Sequence, residues 1–193
     1  MASIAEELSP RLLSAEEAAG LDVHGRIDAA VLVPLYRANG DVHVVLTRRH
    51  VDLRRHAGEI SFPGGRQDLG TEEEDLRETA LREAEEEIGL SRDAVRLIGA
   101  LTPTPTIATN YAVYPFVGEI EPGHRWHPSA AEVAEVLEPS ITELRAGYGR
   151  RRLVRRGVPF RTDVYEAGGH VIWGATARIL SDLLERLEPA AGG

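Results

Sequence analysis

The stretch Arg82-Glu83-Ala84-Glu85-Glu86-Glu87-Ile88-Gly89-Leu90 decides how this chain reads. Leu76, Ala80, Leu81, Ala84 and Ile88 recur at helical spacing and predict a helix over residues 72–88, with these residues on its buried side. Thr71 with Glu74 three residues on forms a capping-box pattern, which assigns Glu74 to helix capping. Gly89 stands where a left-handed C-terminal cap is wanted. Residues at i, i+3 and i+4 are neighbours on a helix, so Glu83, Glu86 and Glu87 project from one face. Like charges at that spacing repel by about 0.2–0.5 kcal/mol per pair, which a cation relieves. Magnesium commonly takes a few carboxylates together with substrate phosphate oxygens. Arg82, four residues before Glu86, is in reach to orient it. A glutamate-rich helix taken alone is more often just a solvated face.

Upstream lies Phe62-Pro63-Gly64-Gly65. Paired glycines let a backbone turn sharply and pass close to a ligand, so a carbonyl of Gly64 or Gly65 is a further oxygen donor for a cation. Taken together, these features resemble the Nudix box: Gly, five residues, Glu, seven residues, then Arg-Glu-apolar-any-Glu-Glu-any-Gly-apolar. Arg82 to Leu90 matches every fixed position, and Glu74 falls at the required seven-residue interval. The first half departs, with eight residues rather than five between Gly65 and Glu74, which reads as a three-residue insertion in the loop.

The resemblance implies an α+β Nudix fold, an α/β/α sandwich around a mixed sheet. It implies hydrolysis of a diphosphate bond with Mg2+, Mn2+ being an alternative ion. The implied metal ligands are Glu83, Glu86 and Glu87 with Gly64 or Gly65, and Arg82 joins the three glutamates in the catalytic set. Candidate bases for the attacking water are one of these carboxylates or Glu59, Glu132 or Glu135, each of which is more often an ordinary surface glutamate.

A second resemblance concerns the substrate. Leu46-Thr47-Arg48-Arg49, Arg54, Gly58 and Phe62-Pro63-Gly64-Gly65 are similar to the signature of the coenzyme A pyrophosphatase branch, with all intervals kept. Val45 and His50 depart from it, standing where Leu and Ser or Ala are usual. Asn110 to Gly118 and Trp173-Gly174-Ala175-Thr176 also look like that branch, so the likeness spans most of residues 27–187. It implies coenzyme A or an acyl derivative as substrate, cut to adenosine 3′,5′-bisphosphate and 4′-phosphopantetheine. Arg48, Arg49, Arg54 and Arg55 are then the expected phosphate contacts, since a guanidinium forks well onto phosphate. Tyr111, Tyr114 and Trp173 are candidates to stack on adenine, although apolar patterning fits core positions at least as well. Two other readings stay open: a Nudix hydrolase for ADP-ribose, NADH or an oxidised nucleotide, and a non-catalytic module that binds a metabolite.

Around this centre, residues 27–36 alternate (Ile27, Ala29, Val31, Val33, Leu35) as a strand, and Asn39-Gly40 signals a hairpin to a return strand at His43 to Thr47. Further strands are expected at 95–101, 111–120 and 133–137, a short helix near 140–146, a hairpin over 151–166 and 170–173, and a closing helix at 174–187. Ser9 and Pro10 suggest the start of a helix at 10–19 with Leu12, Ala15 and Ala19 on one face. The expected organisation is an N-terminal helical extension (1–25), one domain (26–188) and a flexible tail (189–193).

The 193 residues suffice for one domain with a sizeable core, and 42% hydrophobic with 27% charged is ordinary globular composition. The absence of cysteine excludes disulfides, thiolate metal ligands and a thiol nucleophile, and suits the cytoplasm. A net charge of -9 argues against nucleic acid as the main partner. There is no apolar run long enough to span a membrane and no signal-peptide pattern over Met1 to Leu21. A homodimer is compatible with the sequence. The cluster Arg150, Arg151, Arg152, Arg155 and Arg156 reads equally well as an anion site or as solvated charge.

Overall fold

The computed structural model describes residues 3–21, 23–52, 58–67, 75–106, 110–155 and 157–188. Its centre is strand β1 (Ile27–Ala38). Both faces of this strand are buried. Ala30 and Leu32 pack with Ala80, Ala84 and Ile88 of helix α3 (Leu76–Ile88). Ala29, Val33 and Leu35 pack in a second cluster with Ala177, Leu180 and Leu183 of α5 (Gly174–Arg186). A strand covered on both sides loses its polar alternation. The result is a helix, a sheet and a helix in layers, the α/β/α sandwich expected.

The sheet is mixed. β1 runs parallel to β8 (Tyr111–Glu119) and antiparallel to both β2 (Asp41–Val44) and β5 (Gly64–Arg66). β6 (Arg96–Ala100) and the short β7 (Thr104–Pro105) both pair with β8. Asn39 and Gly40 turn β1 into β2 with positive φ at both residues, the twist-matched hairpin geometry. The return strand differs from expectation. It stops at Val44, and Leu46–Arg49 forms β3 in a separate antiparallel sheet, between β4 (Ile60–Ser61) and β9 (Val133–Leu137). Val45 marks the change, its N–H donating to the Pro34 carbonyl. After α4 (Ile141–Ala146), a third sheet of β10 (Tyr148–Arg155), β11 (Val158–Ala167) and β12 (His170–Ile172) leads into α5.

Two helix starts are corrected. The helix expected at 10–19 is replaced by α1 (Ile4–Leu8) and α2 (Ala15–Ala19), each opened by a complete capping box, Ser3 with Glu6 and Ser14 with Glu17. These reciprocal boxes outcompete Ser9-Pro10, which forms only a 3₁₀ turn with Ser9 Oγ donating to the Ile98 carbonyl. Ala18, not Ala19, is the buried alanine. The segment is pinned to the sheet, since Glu119 accepts the Ile4 and Ala5 N–H groups and Leu13 bridges to Ala100. The second correction concerns α3. Asp75 has extended backbone, and its side chain accepts the Arg77 N–H, so the helix starts at Leu76. The capping pair Thr71 and Glu74, the longer loop before it, Arg54 and Arg55, Arg156 and the tail 189–193 lie outside the described residues. Among the described residues no helix is long and apolar enough to cross a membrane.

Candidate active site

The edge strand β5 separates two environments. Its outer neighbour on one face is α3, and on the other is a cavity roofed by α5 and the start of β11. Gly65 and Ala30 are register partners, on the α3 side, whereas Gly64 and Arg66 pair with Val31 and Ala29, which line the cavity. A side chain at Gly64 would strike backbone, and one at Gly65 would displace the Glu83 carboxylate. A Cβ on Gly65 would lie 2.3 Å from Glu83 Oε1, and one on Gly64 would lie 2.4 Å from the Ala30 carbonyl oxygen. The wall between carboxylates and cavity is therefore bare backbone.

The three glutamates that helical spacing puts on one face of α3 differ in surroundings. Glu87 is 3% exposed. Its Oε2 accepts the Gly64 N–H at 3.4 Å, and its Oε1 lies 3.4 Å from Arg49 Nη1. Burial pushes its pKa up to about 8 against the pull of Arg49, with the charges of Glu83 and Glu132 adding to the rise. Glu83 is half-buried, 2.9 Å from Arg82 Nη1, and burial raises its pKa too, in spite of Arg82. Glu86 is turned to solvent and meets Arg82 Nη1 at 3.4 Å. Arg82 Nη2 also donates to the Arg66 carbonyl, tying α3 to β5.

Gly89 ends α3 at φ 71°, ψ 22°, where a Cβ would also lie 2.9 Å from His127 Cβ. The loop after β8 caps the last carbonyls, with His127 N–H donating to Ile88 and Ser129 N–H to Glu87. That cap carries Glu132 to the site, its Oε2 3.9 Å from Arg49 Nη2. Arg49 is aimed here by a bulge. The β3–β9 register pairs Arg48 with Glu135 but Arg49 with Val133. Arg48 thus turns away to an ion pair with Glu135 at 3.0 Å, which His170 also approaches at 3.4 Å. Arg48 and Glu135 do not line the cavity. Arg49 does, and its buried Nε has no hydrogen-bond partner.

Among the described residues no three carboxylate or imidazole groups already enclose an ion. The donor set still fits a hard divalent cation. Burial opposes the ionisation of two carboxylates, Glu83 and Glu87, which a bound cation would offset, and two exposed ones, Glu86 and Glu132, stand beside them on side chains able to rotate.

The cavity has a volume of about 750 Å³. Its charged lining is Arg49, Arg66, Arg161 and Arg178 against the single carboxylate Glu59, a balance that favours anions. Tyr111 and Trp173 line it as well, Trp173 tilted against Phe160 with ring centroids 6.0 Å apart. Tyr114, the third aromatic candidate, is buried on the α3 side of the sheet. Thr176 Oγ1 donates to the Ile60 carbonyl and locks the start of α5 to β4. Sequence reasoning missed Arg66, Phe160, Arg161 and Arg178, because no motif marks them and only long-range pairing brings them together. In the other arginine cluster, Arg150 and Arg151 are ion-paired with Asp163 and Glu166 on the neighbouring strand.

A profile of the family described as NUDIX domain matches residues 26–157. Similar proteins include those called uncharacterized Nudix hydrolase NudL from Photorhabdus laumondii, 37% identical over 83% of this chain and 84% of that protein, and from Citrobacter koseri, 39% identical over 82% and 81%. Among solved structures, the NUDIX domain of Shewanella oneidensis NrtR complexed with ADP ribose covers 92% of this chain and 100% of its own, with TM-score 0.58 at 14% identity. A MutT/nudix family protein from Enterococcus faecalis covers 95% of this chain and 69% of its own at TM-score 0.55 and 15% identity, so these two likenesses concern the fold.

Proposed function

The chain belongs to the Nudix hydrolase family, whose enzymes cleave diphosphate bonds in nucleoside diphosphate derivatives, and on that premise we propose that its substrate is coenzyme A. The products are adenosine 3′,5′-bisphosphate and 4′-phosphopantetheine. The observation that carries this reading is the arginine-lined cavity directly behind Gly64-Gly65, because those glycines close the very stretch that resembles the coenzyme A signature. A ligand with several phosphates and an adenine suits four guanidiniums and the aromatic rings of Phe62, Tyr111, Phe160 and Trp173.

Glu83, Glu86 and Glu87, with a carbonyl of Gly64 or Gly65, are the residues that would hold magnesium. When bound, the ion neutralises phosphate charge and lowers the pKa of water. The protein supplies positioning, which phosphoryl transfer needs more than covalent help. Arg82 orients Glu83 and Glu86. Arg49 stands between Glu87 and the cavity and is the guanidinium best placed for the diphosphate itself. Glu132 and Glu59 are the candidates to take the proton from water, one beside Glu87 and the other in the cavity wall. Arg48 serves β9 through Glu135 rather than the substrate.

The test is product analysis with magnesium and a panel of coenzyme A, ADP-ribose, NADH and oxidised dGTP, with a chelator control. Rapid, chelator-sensitive release of adenosine 3′,5′-bisphosphate is expected. Preference for another panel member discards coenzyme A and keeps the family chemistry, and no cleavage of any member favours a binding module.

A further inference from the structure

Arg178 lies in the second turn of α5, and its side chain reaches the cavity wall at β7, where Nη2 donates to the Pro105 carbonyl. That bond uses one of five guanidinium donors. Among the described residues it has no carboxylate partner. The acid four residues on, Asp182, is engaged by Arg186 at 2.6 Å and by the Thr102 N–H at 2.7 Å. Arg178 is an exposed residue, and only the part of it packed against the wall feels the burial that lowers its pKa. Arg178 lines the cavity, so the donors it does not spend on Pro105 are available to an anion bound there.

Its place rules out the scissile diphosphate as that anion. Arg66 of β5 pairs with Ala29 of β1, Ala29 with Val113 of β8, and Val113 with Thr104 of β7. Three strand spacings, about 14 Å, separate β7 from the glycine wall that fronts Glu83 and Glu87. Tyr111, on β8 beside β7, gives that end of the cavity an aromatic face.

We propose that Arg178 is a specificity residue that binds a phosphate monoester on the nucleoside end of the substrate, remote from the bond that is cut. This rests on the reading of the cavity as the site for a nucleoside diphosphate derivative, and it assigns the remote phosphate to α5 instead of to the arginines that precede the box. A contact held equally in ground and transition states acts on KM and leaves kcat alone.

The experiment compares substrates that differ only by that phosphate, coenzyme A with 3′-dephospho-coenzyme A and NADPH with NADH, in the wild type, Arg178→Gln and Arg178→Lys. The wild type is expected to favour the phosphate-bearing member of a pair by at least about 10-fold in kcat/KM, the worth of one charge-assisted hydrogen bond. Arg178→Gln should erase that preference through KM and spare the member without the phosphate, and Arg178→Lys should restore part of it. Equal losses on both members mean that Arg178 only holds β7 through Pro105, and overturn the proposal. So does a wild type with no preference within either pair, whether or not the variants fold. Failure of the coenzyme A reading looks different: neither member of that pair is cleaved, and the NADPH and NADH pair then decides the role of Arg178.

Discussion

Replacing Glu87 with glutamine should stabilise the metal-free protein at neutral pH. In the fold its pKa stands at about 8, against an ordinary 4.5. The folded state therefore holds this proton more tightly than the unfolded chain. The group's contribution to stability is complete below pH 4.5 and is lost as pH rises through 8. Each pH unit in that window removes about 1.4 kcal/mol, which amounts to roughly 3 kcal/mol by pH 7. Glutamine carries no charge to bury, and its carbonyl oxygen can still accept the Gly64 N–H. The variant should thus match the wild type near pH 5 and exceed it progressively toward pH 8. Urea unfolding in chelator from pH 5 to 8 reads this directly. Magnesium should reverse the order, since ligand binding raises the stability only of a protein that binds it. A glutamine variant that is less stable than wild type at pH 8 without metal, or a difference that does not change with pH, refutes the reasoning.

Gly65→Ala puts a methyl where the Glu83 carboxylate now sits, so the flexible acid must swing away. Turnover should fall about 100-fold while the melting temperature hardly moves, because an ångström of misplacement costs that much; unchanged turnover argues against the position of Glu83. Gly89→Ala meets both a left-handed backbone and His127, and should cost about 1–2 kcal/mol in chemical denaturation. Asp75→Ala should cost about 1 kcal/mol of stability in chemical denaturation, since the Asp75 side chain caps the start of α3.

Much of this architecture is legible in local pattern. The Asn39-Gly40 hairpin, the apolar side of α3 and the closing helix all follow from residues within one turn or one strand of each other. What local pattern misses depends on partners far along the chain. Ser9-Pro10 resembles a helix start until Ser14 and Glu17 outcompete it. The strand after Val44 changes sheets because β9, some ninety residues later, offers it a partner. Helical spacing groups Glu83, Glu86 and Glu87, but their inequality arises from β5, whose bare glycines bury Glu87 and leave Glu86 in water. The separation of Arg48 from Arg49 follows from a bulge that adjacent arginines do not announce.

The most direct test of the central claim, that the α3 carboxylates beside Gly64 and Gly65 drive diphosphate cleavage, is the magnesium-dependent turnover of coenzyme A by Glu83→Gln, measured beside its unfolding curve. The expected result is loss of turnover by at least about 100-fold with a cooperative unfolding transition like that of the wild type. Near-normal turnover in a folded Glu83→Gln protein would contradict the claim.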